Sequence, residues 1–112
     1  MTVFEVDVKA RALEVGALVV DVESYRVTFA ERVLDLSRTQ VELLALLLRN
    51  AHRVMSRNEI SDALGLQRGR SVDVLLSGLR RLLGVDFVRN VRARGWILEP
   101  SALGQVSSPL ER

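Results

Sequence analysis

The sequence predicts an α+β domain in which an antiparallel sheet comes first, three helices follow and a β-hairpin closes the order. Three observations carry this reading. Apolar residues alternate in short runs through residue 36, recur at three and four residues from Ser37 to Leu83, and alternate again from Phe87 to Leu98. With 112 residues the chain has room for one core, since a domain of this size buries roughly two-thirds of its unfolded surface. Aromatic residues make up only 4% while hydrophobic residues reach 48%, so the core must be built from Leu and Val.

The opening interleaves Phe4, Val6 and Val8 with Glu5 and Asp7, and strand-like pieces follow at Ala12–Val15, Ala17–Val22, Tyr25–Phe29 and Val33–Leu36. Gly16, Glu23-Ser24 and Ala30-Glu31 separate them at hairpin spacing, although only Gly16 is a strong turn residue. Close succession of short strands predicts an antiparallel meander. At Ser37 the period changes: Val41, Leu44, Leu47 and Leu48 form a helical stripe, and Ser37 with Gln40 matches a capping box, so a first helix runs to about Asn50. Ser56 and Glu59 start a second, two-turn helix that Gly65 ends. A third helix, from about Ser71 to Leu83, sets Val72, Leu76, Leu79 and Leu83 on one face and Asp73, Ser77, Gly78 and Arg81 on the other, with Gly84 as its stop.

Phe87–Val91 and Trp96–Leu98 then read as two strands joined by Arg92, Ala93, Arg94 and Gly95, a hairpin with an arginine-bearing tip. The composition divides the chain into an N-terminal extension (1–12), the domain proper (13–98) and a flexible tail (99–112). Strands, three helices and a basic hairpin in this order are the layout of a winged helix-turn-helix, whose third helix enters a DNA major groove.

Charge and composition narrow the function classes. Residues 1–36 carry four bases against seven acids, whereas residues 67–98 carry seven arginines against Asp73 and Asp86, a net of +5. A polyanion approached by one basic region fits that polarity. Fifteen of the sixteen bases are arginine, which suits phosphate and base-edge recognition and equally fits a GC-rich genome. With no cysteine and one histidine, disulfides and thiolate metal sites are excluded and no cofactor is expected. The longest apolar run, Leu43–Leu48, is far short of a membrane span, and no signal peptide opens the chain, so a cytoplasmic protein with no membrane partner is expected. His52 reads as a linker residue, and no serine stands at a spacing that would make a nucleophile of it, so an enzyme is not expected.

The residues themselves carry a resemblance. The stretches LDLSRTQVELLALLLRNAHRVMSRNEI, RSVDVLLSGLRRLLG and VRNVRARGWIL resemble the DNA-binding effector domain of bacterial OmpR/PhoB-type transcription regulators over roughly residues 13–98. The similarity joins Arg53-Val54-Met55-Ser56-Arg57 before the second helix, Val72-Asp73-Val74 and Leu79-Arg80-Arg81 in the third, and Val91-Arg92-Ala93-Arg94-Gly95-Trp96 in the wing. It implies double-stranded DNA as partner, with Arg70, Arg80 and Arg81 meeting phosphates and base edges and Arg92 reaching the minor groove. In family members the loop between the second and third helices contacts RNA polymerase; here it is a departure, only about six residues long (Gly65–Arg70), so RNA polymerase is a secondary expected partner, as is a second copy of the domain on tandem half-sites. No receiver domain is present in these residues, so the chain is either a free-standing effector domain or a piece of a longer regulator.

The expected DNA-binding residues are therefore Arg68, Arg70, Ser77, Arg80, Arg81, Arg92 and Arg94. Where many members of that family carry His and then two polar or basic residues, this chain has Leu75, Ser77 and Gly78, which predicts weak base discrimination. Gly78 marks either a close backbone approach or a lost contact. Arg80 is expected to share its charge with Asp73 in an internal ion pair, and Trp96 to pack under the hairpin. The rival reading is a protein-interaction module on the same fold, using the apolar Leu75.

Overall fold

The computed structural model describes residues 12–66 and 71–104. The alternating segment at Val3–Val8, the candidate residues Arg68 and Arg70, and the last eight residues lie outside the described residues. Four short strands, β1 (Ala12–Val15), β2 (Leu18–Asp21), β3 (Arg26–Phe29) and β4 (Arg32–Leu34), pair antiparallel in sequence order. The period of two puts Leu13, Leu18, Val20, Val27 and Phe29 on the face that meets the helices, all buried. β4 stops two residues short of the expected Leu36, and Val33 on this edge strand is 62% exposed.

The β3–β4 connection is a two-residue turn across the Phe29–Arg32 pair, and both of its central residues are left-handed, Ala30 at φ 53° and Glu31 at φ 68°. That is the sign pattern of a type I′ turn, usually filled by Asn and Gly because L side chains resist positive φ. Neither residue advertises it.

The helices begin where the caps predict. α1 (Arg38–Arg49) follows Ser37, whose Oγ accepts from the Gln40 N–H at 3.1 Å while Gln40 Oε1 accepts from the Ser37 N–H at 2.8 Å. α2 (Arg57–Leu64) repeats the device with Ser56 and Glu59 at 3.0 and 2.9 Å. It ends at left-handed Gly65, where the Leu66 N–H donates to the Ser61 carbonyl and the Gly65 N–H to Asp62, the two bonds of a Schellman motif. α3 (Val72–Leu83) is capped by Ser71, whose Oγ accepts from the Val74 N–H at 3.3 Å, and stops at Gly84 at φ 77°. Val72, Leu76, Leu79 and Leu83 are buried as the helical period requires. Among the described residues no helix is long and apolar enough to cross a membrane.

β5 (Val88–Val91) and β6 (Gly95–Leu98) form the hairpin. The residue before α2 also pairs with it: the Met55 N–H donates to the Trp96 carbonyl and the Trp96 N–H to the Met55 carbonyl, both at 2.8 Å. This third rung fixes the hairpin against the start of α2, and Gly95 permits it, because a Cβ there would overlap the Met55 carbonyl.

The expected tail begins as structure. Pro100–Gly104 forms a short helix, α4, and Leu103 is fully buried, its carbonyl accepting from the Ala17 N–H at 3.1 Å. Polar and small neighbours hide this in the sequence, where one leucine among Ser, Ala and Gly sets no period. The contact also explains Gly16, whose left-handed turn lies so close to α4 that a Cβ would come within 2.7 Å of the Leu103 and Gly104 backbone.

Candidate nucleic-acid interface

α3 stands with its core face inward, so Asp73, Val74, Ser77 and Arg81 are left exposed on the other face. Their chemistry differs residue by residue. Asp73 is held by Arg57 at the start of α2, whose Nε and Nη2 donate to its carboxylate at 3.0 to 3.1 Å, tying the first turns of α2 and α3 together. The expected pair between Asp73 and Arg80 is therefore corrected. Arg80 lies on the flank of α3 facing the hairpin, two turns along the helix from Asp73 and out of its reach, and turns to the chain beyond Gly84 instead.

There it is well occupied. Its Nη2 donates to the Val88 carbonyl at 2.8 Å, its Nε lies 3.1 Å from Asp86 Oδ1, and its guanidinium carbon sits 5.6 Å from the centroid of the Trp96 ring. The Nε–Asp86 contact is an ion pair without hydrogen-bond alignment, for that Nε is buried and has no hydrogen-bond acceptor. Arg80 thus braces α3 against the hairpin. Trp96 packs under the hairpin at 8% exposure, as expected of the aromatic after the wing glycine. Arg81, one residue on, is exposed, and among the described residues its side chain makes no hydrogen bond or ion pair.

The wing presents the remaining charge. Arg92, Ala93 and Arg94 form the exposed turn, with Ala93 at φ 63° and the Arg94 N–H donating to the Val91 carbonyl at 2.8 Å. Asn90 Nδ2 donates across the turn to the Gly95 carbonyl at 3.1 Å, which stiffens the tip. Neither Arg92 nor Arg94 has a side-chain partner among the described residues, whereas Arg89 on β5 is paired with Glu99. Arg94, Asn90 and Trp96 face Ser56, Arg57 and Asn58 across a cleft of about 370 Å³ between the wing and the first turn of α2. Arg81, Arg92 and Arg94 are therefore placed as exposed cations, Ser77 as a small exposed hydroxyl, and Arg80 as an internal brace.

Gly78 and Leu75 do not face outward with them. Gly78 is half-buried beside α1, and an added Cβ would lie 3.0 Å from Gln40 Nε2, so its near neighbour is this chain's own capping side chain. Leu75 packs against the core from the helix flank, which removes it as an apolar docking point. The apolar group that does protrude is Val74, 69% exposed. Sequence reasoning passed over Val74, although its phase opposite Leu76 and Leu79 was a sufficient signal. It also passed over Arg57, whose role depends on Asp73 sixteen residues away.

His52 is exposed in the turn after α1, and among the described residues no cluster of His, Asp and Glu could hold a metal ion.

Known proteins share this arrangement. The family described as transcriptional regulatory protein, C terminal, matches residues 31–98. The chain is 32% identical over 91 residues to the response regulator protein PmrA of Pseudomonas aeruginosa, covering 78% of this chain and 41% of PmrA. It is 38% identical over 96 residues to the transcriptional regulatory protein TrcR of Mycobacterium tuberculosis, covering 80% of this chain and 37% of TrcR. The chain thus spans about two-fifths of the length of the curated relatives it matches. Among solved structures, the DNA-binding domain of CpxR from E. coli superposes with a TM-score of 0.70 at 31% identity, over 80% of this chain and 96% of that one. The DNA-binding domain of Klebsiella pneumoniae RstA, solved in complex with the RstA box, shares the fold with a TM-score of 0.72 at 24% identity, over 81% of this chain and 99% of that one. The family is not one of enzymes, and with its sheet, three helices and wing this chain belongs to it: an OmpR/PhoB-type winged-helix domain of the transcriptional regulatory protein C-terminal family.

Proposed function

We propose that this domain binds double-stranded DNA as part of a transcription regulator, with α3 in the major groove and the wing tip at Arg92–Gly95 in the minor groove. One observation carries the reading. Of the five described arginines in α3 and the hairpin, Arg80 and Arg89 are engaged within the fold, while Arg81, Arg92 and Arg94 are exposed and have no side-chain partner among the described residues. Three unneutralised guanidinium groups on the recognition helix and wing supply what a phosphate rail attracts, with counterion release as the driving force. The RstA DNA-binding domain, which shares this fold, was solved in complex with the RstA box, and that supports DNA as the partner.

Arg81 and Arg94 act in this reading on phosphates, Arg92 in the minor groove, and Ser77 at a base edge. Arg68 and Arg70 would add to the phosphate contacts, the loop at Gly65–Arg70 would meet RNA polymerase, and two domains on tandem half-sites would multiply modest single-site preferences. A cytoplasmic location follows from the DNA partner.

Fluorescence anisotropy on a labelled duplex across a salt series tests the proposal. Four to six phosphate contacts give a log–log slope of about −4 to −5, and Arg92→Ala lowers affinity by about 1 to 3 kcal/mol with its melting temperature unchanged. A flat salt response would favour a protein partner on this fold instead.

A further inference from the structure

A groove of about 580 Å³ lies where the β2–β3 turn, α1 and the end of α2 meet, and these three supply all its lining among the described residues. Val22, Val41, Ala45, Leu46 and Leu64 make its floor apolar. Charge is confined to the rim: Glu42 and Arg49 stand two turns apart on α1, about 10 Å, and Asp62 stands near the end of α2. Neither Arg49 nor Asp62, both exposed, has a side-chain partner among the described residues.

Tyr25 walls the groove at its Glu42 end. It holds φ 58°, a left-handed conformation that a bulky side chain rarely adopts. The Arg38 guanidinium lies 4.7 Å from its ring centroid, its hydroxyl donates to Glu42 Oε2 at 3.3 Å, and Arg38 and Glu42 are themselves paired at 3.5 Å. This network holds a strained residue against α1, and backbone strain persists where the surroundings fix it and clusters where a surface is shaped for binding.

The chain carries a matching segment next to this groove. β1 begins at Ala12, which sits opposite Asp21, and the residue after Asp21 is Val22 of the groove floor. The sequence VFEVDVKAR, residues 3–11, leads into that strand. From Val8 to Ala12 the chain can span about 13 Å, enough to pass from the end of β1 to the floor. Counted back from β1, the segment brings Arg11 and Lys9 to the acidic end of the sheet at Asp21 and Glu23, and then Asp7 and Glu5 toward Arg49. Phe4, Val6 and Val8 alternate with those acids, so an extended chain turns three apolar side chains to the floor and its acids to the rim.

We infer that this groove is the seat of the chain's own N-terminal segment, with Phe4, Val6 and Val8 on the apolar floor and an acid of the segment at Arg49. The inference is independent of the DNA-binding reading, since neither α3 nor the wing contributes to the surface described.

The test uses the full chain, which has no cysteine of its own. In the unaltered protein, nuclear Overhauser effects connect the Phe4 ring with methyl groups of Val41, Leu46 or Leu64. Val6→Cys combined with Ala63→Cys, an exposed position on the groove wall, forms an intrachain disulfide under mild oxidation. It does so about tenfold faster than Val6→Cys combined with Val33→Cys on the opposite edge of the sheet, because a seated segment raises the effective concentration at one site only. Adding Phe4→Ser and Val8→Ser, which leaves the described core untouched, abolishes that preference. Equal rates at the two sites, a preference that survives the serine substitutions, or a Phe4 ring without contacts to the groove methyls overturns the inference. A disulfide that forms chiefly between chains, in proportion to concentration, makes the occupant a second copy and overturns it equally.

Discussion

Arg80 and Trp96 are stacked, the guanidinium carbon 5.6 Å from the ring centroid, and the same guanidinium donates to the Val88 carbonyl at 2.8 Å. One side chain of the recognition helix therefore holds the hairpin by a cation–π contact and a charge-assisted hydrogen bond, each stronger because the group is two-thirds covered. The spacing between α3 and the wing is thus set by contacts within the fold itself.

This assigns neighbouring arginines opposite roles. Arg80→Ala should lower unfolding free energy by about 1 to 3 kcal/mol, since it strips a charged donor from a half-buried site. Arg81→Ala should stay within about 0.5 kcal/mol of the parent, as exposed substitutions do. Duplex affinity in low salt should rank the other way, with Arg81→Ala weakening all sequences alike and flattening the salt slope by about one. Urea denaturation and anisotropy on the same two variants check the crossing; equal stability of the two would refute the brace.

Gly95→Ala should be among the most destabilising single-methyl additions in the chain. The new Cβ has to displace the Met55 backbone, which is bonded to Trp96 in both directions, and Gly95 has a φ of 144° that L side chains avoid. A loss above about 2 kcal/mol is expected, with duplex binding falling as the wing detaches from α2. Gly65→Ala, with open space around it, bears only the φ penalty and serves as the control.

Glu31→Gly should stabilise the domain. Glu31 holds φ 68° in a two-residue turn, a conformation that costs an L residue about 1 kcal/mol and glycine nothing. Part of the gain returns as unfolded-chain entropy, leaving about 0.5 kcal/mol, visible as a rise in denaturation midpoint. A fall would mean that the Glu31 side chain contributes an interaction beyond its backbone.

Glu59 predicts an acid limb. The Ser56 N–H and then the Arg53 guanidinium hold its carboxyl below the ordinary value of 4.5. A folded-state value below the unfolded one contributes stability at pH above 4.5, and that contribution drains away as pH falls through the folded value. Glu59→Gln keeps a capping-box acceptor without the charge, so its stability should be lower than the parent's at neutral pH and converge with it in acid. Parallel curves across that range would remove Glu59 from the acid response.

Local chemistry was legible in the residues themselves. Ser37 with Gln40, Ser56 with Glu59, and glycines at 65 and 84 announce where helices start and stop, because caps are made by groups three or four residues apart. Val72, Leu76, Leu79 and Leu83 declare the inner face of α3 by period alone, and the same period leaves Val74, Ser77 and Arg81 outside. The resemblance in the third helix and wing carried the family. What remained hidden was every relationship between residues distant in sequence. Asp73 pairs with Arg57 and Arg80 with Asp86, the reverse of the expected Asp73–Arg80 pair, because an ion pair is chosen by which charges folding brings within reach, and the flank of α3 decides that. Gly78 faces Gln40 and Gly95 faces Met55 for the same reason. Leu103, alone among small and polar residues, gains its place only when β1 and the turn at Gly16 present a surface to bury it. Helix ends and core faces follow from interactions within a turn or two of the chain; free arginines and docked ends depend on packing across it, and that is decided only once the core has closed.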